Sequence, residues 1–117
     1  MSLELLTEMR AALGGLPNYV ERTQAQPVSV EHPSWQIVYR GRHYRGTRLV
    51  NSWWVEVWAG RADVPDAQTR LQVVVTEASG VLHPIKCLLI GGFVPAVEAA
   101  GVKGIPMIMA RCEVEEI

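Results

Sequence analysis

The side chains in this sequence that could bind a metal ion or act in catalysis most readily are three histidines and two cysteines. His32, His43 and His83 stand far apart, and none lies at a helical i, i+4 spacing from another ligand or in a zinc-type Cys/His cluster. Cys87 and Cys112 form no CxxC pair, so we expect buried free thiols rather than a disulfide. The spacing therefore predicts no metal site, no cofactor and no catalytic residue.

Glycines and carboxylates add no reaction motif. Gly91-Gly92 and the segment Gly101–Gly104 do not match a dinucleotide or phosphate loop, and we interpret them as turns. Asp63 and Asp66 suit the start of a helix, and the acidic stretch Glu113–Glu116 suits a solvated chain end. We expect a protein that is not an enzyme.

One charged segment is unusual. Within nine positions the chain places four arginines around a histidine: Arg40, Arg42, His43, Arg45 and Arg48. This is either a solvated loop or a contact with an acidic protein surface or a phosphate backbone, because the planar guanidinium pairs bidentately with either group. The acidic C-terminal stretch could meet this segment on another copy, and such head-to-tail contacts can close into a ring.

Length and composition indicate one globular domain spanning residues 1–117. The chain has 117 residues, of which 49% are hydrophobic and 20% charged, and its net charge is −1. A near-neutral chain is not expected to bind nucleic acid with its whole surface. No apolar run reaches the ~18–20 residues of a membrane span, and the start lacks a signal-peptide pattern. We expect a cytoplasmic protein with no membrane partner.

The elements that must position these residues are organised around the segment Leu49–Trp58, which reads as a strand. Alternation gives one core face, made of Leu49, Asn51, Trp53, Val55 and Val57. The other face carries Val50, Ser52, Trp54, Glu56 and Trp58. Either this strand is buried on both sides, or Trp54 and Trp58 form an exposed patch that waits for a partner.

Around this strand the pattern predicts helices at two places. Ser2 caps a first helix whose apolar stripe ends at Gly14-Gly15. Asp63 caps a second helix, with Pro65 in its first turn. Its apolar stripe is Ala67, Leu71, Val74, Val75 and Ala78, and we predict a helix although the run Val73–Thr76 is β-branched. Ser79-Gly80 is expected to end or bend this helix.

The remaining segments are predicted as strands, apart from one ambiguous stretch. They are a short edge strand at Val28 and Val30, the strand Ser34–Arg40, a hairpin loop over Arg40–Arg48, and a final hairpin of Phe93–Val102 with Ile105–Ile117. Val81–Ile90 is predicted as a short helix, with a buried strand as the alternative.

Strands that cluster rather than alternate with helices indicate an α+β fold. We predict a central antiparallel or mixed β-sheet flanked by two or three helices, in the order helix, strands, helix, short helix, hairpin.

Several local strings carry a resemblance to a known family. They are the opening helix Leu5–Leu13, the strand Trp54–Arg61, the helix start Asp66–Leu71, Ser79-Gly80 followed by a short apolar segment and Gly91-Gly92, and the closing strand Met107–Glu115. In order and pattern they resemble the tail terminator, or tail completion, proteins of long-tailed bacteriophages, over most of the chain.

The resemblance implies a structural virion protein of the neck or tail, made in the host cytoplasm. It implies a homo-oligomeric ring, typically a hexamer, seated on the last ring of the tail tube protein and offering a docking face to the head-side connector protein. DNA would pass through the lumen only as cargo. Charge and apolar patterning, rather than the resemblance, give the interface candidates: Arg40, Arg42, His43, Arg45, Arg48, Trp54 and Trp58.

Three alternatives stay open. Another neck or tail ring component, such as a head-closure or tube protein, also has a small α+β or β-rich fold and forms a ring, so sequence alone separates it poorly from a tail terminator. A small α+β enzyme or ligand-binding protein could use an aromatic pocket with His43 or His83 as acid or base. A nucleic-acid module could use the arginine-rich segment alone.

Overall fold

The computed structural model describes residues 2–22, 32–86, 88–100 and 104–117, with residues 2, 3 and 100 described in their backbone only. The described chain forms α1 (Ser2–Gly14), β1 (Val20–Glu21), β2 (Ser34–Arg45), β3 (Arg48–Arg61), α2 (Ala67–Leu82), β4 (Leu88–Ile90), β5 (Val94–Ala100) and β6 (Ile105–Glu116). The predicted α+β class, with a central mixed sheet and flanking helices, is confirmed.

The sheet has the order β1-β2-β3-β6-β4, and β5 also pairs with β6. β1 runs parallel to β2, and the other pairs are antiparallel. β4 and β5 share one edge of β6, because Ile90 pairs with Val114 and Val94 pairs with Arg111. The three residues 91–93 between them face only two residues of β6, which is the count of a β-bulge.

The hairpin of β2 and β3 is longer than predicted. The predicted loop from Arg40 to Arg48 is wrong, since Arg45 pairs with Arg48 and only Gly46-Thr47 turns the chain. Gly46 has φ +65° and Thr47 does not have positive φ, which matches the glycine-first type II′ turn of two-residue hairpins. The register shifts between Tyr39 and Gly41, so a bulge at Arg40 interrupts β2.

Both helices cover one face of the sheet. The buried side chains of α2 recur at helical spacing: Ala67, Leu71, Val74, Ala78 and Leu82. In α1, Leu5, Met9 and Leu13 are buried one turn apart. They form one core with the helix-facing side of the sheet, where Trp53 and Val55 are buried. We call this side the inner face.

In the second helix the predicted apolar stripe is confirmed, but the predicted start and end are wrong. It begins after Asp66, which makes no side-chain cap bond, while Asp63 pairs with Arg61 at 2.7 Å instead of capping. The helix also continues through Gly80 to Leu82, because Leu82 is fully buried in the core and Gly80 has open space around it. The β-branched run stays helical because burial of the stripe outweighs its propensity cost.

The predicted short helix in Val81–Ile90 is wrong. After α2 ends at Leu82, the described residues of this segment form a turn and then β4. A strand is the alternative that periodicity could not separate from a helix. The predicted edge strand at Val28 and Val30 lies outside the described residues, as do Cys87 and the predicted turn at Val102-Lys103. No helix in the described ranges is both long enough and apolar enough to cross a bilayer.

The core on the inner face can be tested with two neighbouring positions of α2. We expect Leu71→Ala to lower the free energy of unfolding by about 2–5 kcal/mol, because it leaves a cavity in the core. Val73 is 52% exposed, so Val73→Ala should change it by no more than about 0.5 kcal/mol. Urea unfolding measures both, and similar losses would contradict the assigned helix face.

Candidate functional site

The face of the sheet opposite the helices, which we call the outer face, carries a stack of charged and aromatic groups around Trp54. The guanidinium carbon of Arg40 lies 3.7 Å from the Trp54 ring centre, and that of Arg111 lies 4.2 Å from it. Arg111 Nε donates to Glu56 Oε2 at 2.9 Å, and its Nη2 lies 3.7 Å from Glu98. The indole is thereby held by two cations, one of which is itself fixed by carboxylates.

Strand register explains this stack. Glu56 of β3 pairs directly with Arg111 of β6, and Trp54 is the next outer-face residue of β3. Directly opposed side chains of opposite charge stabilise a sheet. Arg40 reaches the ring from the β2 bulge. The buried Glu56 therefore has its counter-ion, and Trp54 is half-covered by its own chain.

Trp58 has a different environment from Trp54. It is 2% exposed and packs with Met107 and Met109 in a second apolar cluster on the outer face. The Arg22 guanidinium lies 5.0 Å from its ring centre. At Trp58, therefore, the strand is buried on both sides, which was the first of the two alternatives. The Trp58 ring is not exposed to a partner.

A second polar group joins the hairpin to the C-terminal end of β6. His43 Nε2 lies 3.1 Å from Glu115 Oε1, and Arg45 Nε donates to Glu115 Oε2 at 2.8 Å. These hydrogen bonds, that of Arg45 above all, hold the pKa of Glu115 below its usual range. Glu113 stands beside them, and the ligand atoms of His43, Glu113 and Glu115 all lie within 4.8 Å of one another.

This contact corrects the prediction of separate basic and acidic patches. The acidic end is not a solvated tail: β6 extends to Glu116, whose Oε1 accepts a hydrogen bond from Asn51 Nδ2 at 3.1 Å. Glu115 already pairs with Arg45 within the chain. Head-to-tail attraction between copies therefore cannot use these two charges without first breaking an internal pair.

The end of the hairpin, residues 42–49, is the most exposed part of the predicted site. Arg42 and Arg48 are exposed and form no ion pair with any described residue. Tyr44 and Leu49 are cross-strand partners, 72% and 48% exposed, on the face opposite His43. Two exposed arginines and an exposed apolar pair thus meet at this end of the hairpin.

The residues of the enzyme alternative are not brought together in the described clefts. A cleft of about 420 Å³ beside α2 is lined by Tyr19, Arg70 and Glu77 among others, and neither His43 nor His83 lines it. Burial raises the pKa of Tyr19, whose hydroxyl donates to Glu77 at 3.1 Å. Burial also raises the pKa of the free Cys112 thiol to about 12, so this thiol is a poor nucleophile.

Comparison with known proteins finds no match, either among protein-family models or among curated protein sequences.

Sequence reasoning missed the acidic partners of the site. Glu56 and Arg111 oppose each other across two strands, and Glu115 meets His43 from 72 positions away. Alternation placed Arg111 and Glu115 on one face of the last strand, but a face alone does not give the neighbouring strand. The pairing of β3 with β6 supplies that information.

The two tryptophans should respond differently to truncation. We expect Trp58→Ala to lower the free energy of unfolding by about 3–5 kcal/mol, as for a buried aromatic residue. Trp54→Ala should cost clearly less, since it loses a partly buried ring and two cation–π contacts of about 0.5–1 kcal/mol each. Chemical denaturation measures both, and equal losses would refute this assignment.

The Glu115 pair should make stability depend on pH. Its lowered pKa means that the stabilisation is present above the ordinary glutamate value of about 4.3 and is lost as the pH falls through the lower, folded-state value. The stability difference between wild type and Glu115→Gln should therefore shrink on acidification. Glu113→Gln, which removes a carboxylate without an ion pair among the described residues, is the control. A pH-independent Glu115 difference would contradict the ion pair.

Proposed function

We propose that this chain is a ring-forming structural protein of a phage virion, a tail terminator that caps the tail tube. The observation that supports this proposal is the exposed end of the β2–β3 hairpin, where Tyr44 and Leu49 are exposed beside Arg42 and Arg48, which form no ion pair with any described residue. The resemblance of the sequence to tail terminators of long-tailed phages supports the same role, and the α+β fold agrees with the fold that it implies.

The hairpin end has the composition of a protein contact. Aromatic residues and arginine are enriched at protein interfaces, because they combine a large contact area with hydrogen-bonding groups. Tyr44 and Leu49 would bury apolar surface against a neighbouring copy or the tube, and Arg42 and Arg48 would pair with carboxylates at the rim. A contact between unlike surfaces of identical chains closes into a ring when the rotation allows.

In this proposal the partners are other copies of the chain, in a ring of about six, the tail tube protein on one side and the head-side connector protein on the other. DNA passes through the lumen as cargo. The protein is made in the host cytoplasm and ends in the neck or tail of the virion. A head-closure or tube protein is the neighbouring alternative within the same class.

The stack around Trp54 has a supporting role in this proposal. Arg40 and Arg111 clamp the ring where the hairpin leaves the part of the sheet covered by the helices. Because β2 and β3 are tied there to β6, the hairpin end is presented as a stiff element. A rigid element loses less conformational entropy when it binds.

The test is to measure the mass of the purified protein by size exclusion with light scattering, and to image it with and without tail tubes. We expect rings in solution or rings only at tube ends. The double variant Tyr44→Ser with Leu49→Ser should abolish them while keeping the wild-type circular dichroism spectrum. Val73→Ser, which removes from α2 an apolar side chain about as exposed as that of Leu49, should keep them.

Charge reversal can test the exposed arginines without disturbing the internal ion pair of Arg45 with Glu115. Arg42→Glu with Arg48→Glu changes only arginines without an ion pair among the described residues, unlike a change of Arg45. The double variant should weaken ring formation or tube binding and leave the thermal stability near that of the wild type. Wild-type protein that stays monomeric and ignores tube ends would overturn the proposal, as would hairpin variants that assemble normally.

A further inference from the structure

We propose that His43, Glu113 and Glu115 form a binding site for a divalent first-row metal cation, with Zn²⁺ as the best fit. The site is independent of the role in a phage tail, because it rests on one side chain of the hairpin end and two of β6. Imidazole nitrogen with carboxylate oxygen is a donor set that Zn²⁺ accepts readily.

The spacing of the donor atoms fits one ion. Two ligand atoms each about 2.1 Å from an ion lie about 3.0 Å apart at a right angle and about 3.4 Å apart at a tetrahedral angle. His43 Nε2 and Glu115 Oε1 are 3.1 Å apart. The Glu113 carboxylate lies within 4.8 Å of both, and it is exposed, so a side-chain rotation can close the third position.

The three donor residues lie on paired strands of the sheet. His43 lies on β2 and the two glutamates lie on β6, on either side of β3 and all on the outer face. Between them β3 contributes Val50 and Ser52, each only 3% exposed. The floor of the site is therefore paired backbone on three adjacent strands, which fixes where the side chains start.

Arg45 orients the Glu115 carboxylate without contacting the proposed ion. Its Nε binds Glu115 Oε2 at 2.8 Å, which leaves Oε1 directed to His43. Carboxylates that bind metal ions are commonly oriented by a second hydrogen bond of this kind. The cation would replace the contact between His43 and Oε1, and Arg45 would keep its own.

The charge balance also favours a cation. Glu113 and Glu115 stand two positions apart on one face of β6, and Arg45 offsets only one of the two negative charges. The Glu113 carboxylate makes no ion pair with any described residue. A divalent ion would neutralise this excess and tie the hairpin to β6 through a bond to each strand.

The test starts from full-length protein treated with EDTA and then dialysed. Calorimetric titration with ZnCl₂ should give one site, and Zn²⁺ should raise the thermal midpoint. Glu113→Gln is the sharpest variant, because Glu113 is exposed and its change leaves the contacts of Arg45 and His43 in place. We expect Glu113→Gln and His43→Gln each to weaken Zn²⁺ binding by at least about tenfold.

His83→Gln is the matched control, since it removes an exposed histidine beyond α2, and it should bind as the wild type does. The Co²⁺ spectrum of the wild type should lack a thiolate charge-transfer band, which excludes cysteine as the ligand. A wild type that binds no Zn²⁺ would mean an ion-pair network only and would overturn the proposal. Equal affinity in all three variants, or a thiolate band, would do the same.

Discussion

The central position of β3 is the constraint on which the rest of the structure depends. This 14-residue strand pairs with β2 along one edge and with β6 along the other, and it is buried on both faces over most of its length. A strand buried on both faces cannot leave a charge without a partner. Glu56 sits on that strand, so β6 must offer Arg111 directly opposite.

From this constraint the outer face follows. Arg111 is held by Glu56, and its guanidinium lies over Trp54, which also receives Arg40. The two described helices cover the inner face, and the outer face is closed by its own long side chains and the methionines beside Trp58. Beyond this region no helix or side chain of the described residues covers the hairpin end, and there Tyr44 and Leu49 remain exposed.

The sequence allowed the fold to be predicted where one physical signal dominated. Alternation assigned the faces of β3 and β6, and the apolar stripe of α2 outweighed its β-branched run. Prediction failed where local signals were equal, as at Val81–Ile90, or where pairing decided the outcome. The acidic end was expected to be solvated because its partner, Arg45, is 70 positions away and only the sheet order brings them together.

The bulge at Arg40 shows how one backbone residue determines the site. Before it, the even-numbered residues of β2 face outward with Trp54; after it, the odd-numbered ones do, because Gly41 pairs with Ser52. A shift of one residue moves every following side chain to the other face of a sheet. Without the extra residue, His43 and Arg45 would lie on the inner face, and Glu115 would have neither partner. The arginine-rich composition of this segment therefore does not determine the surface by itself, since the same side chains in a strand without the bulge would form a different surface.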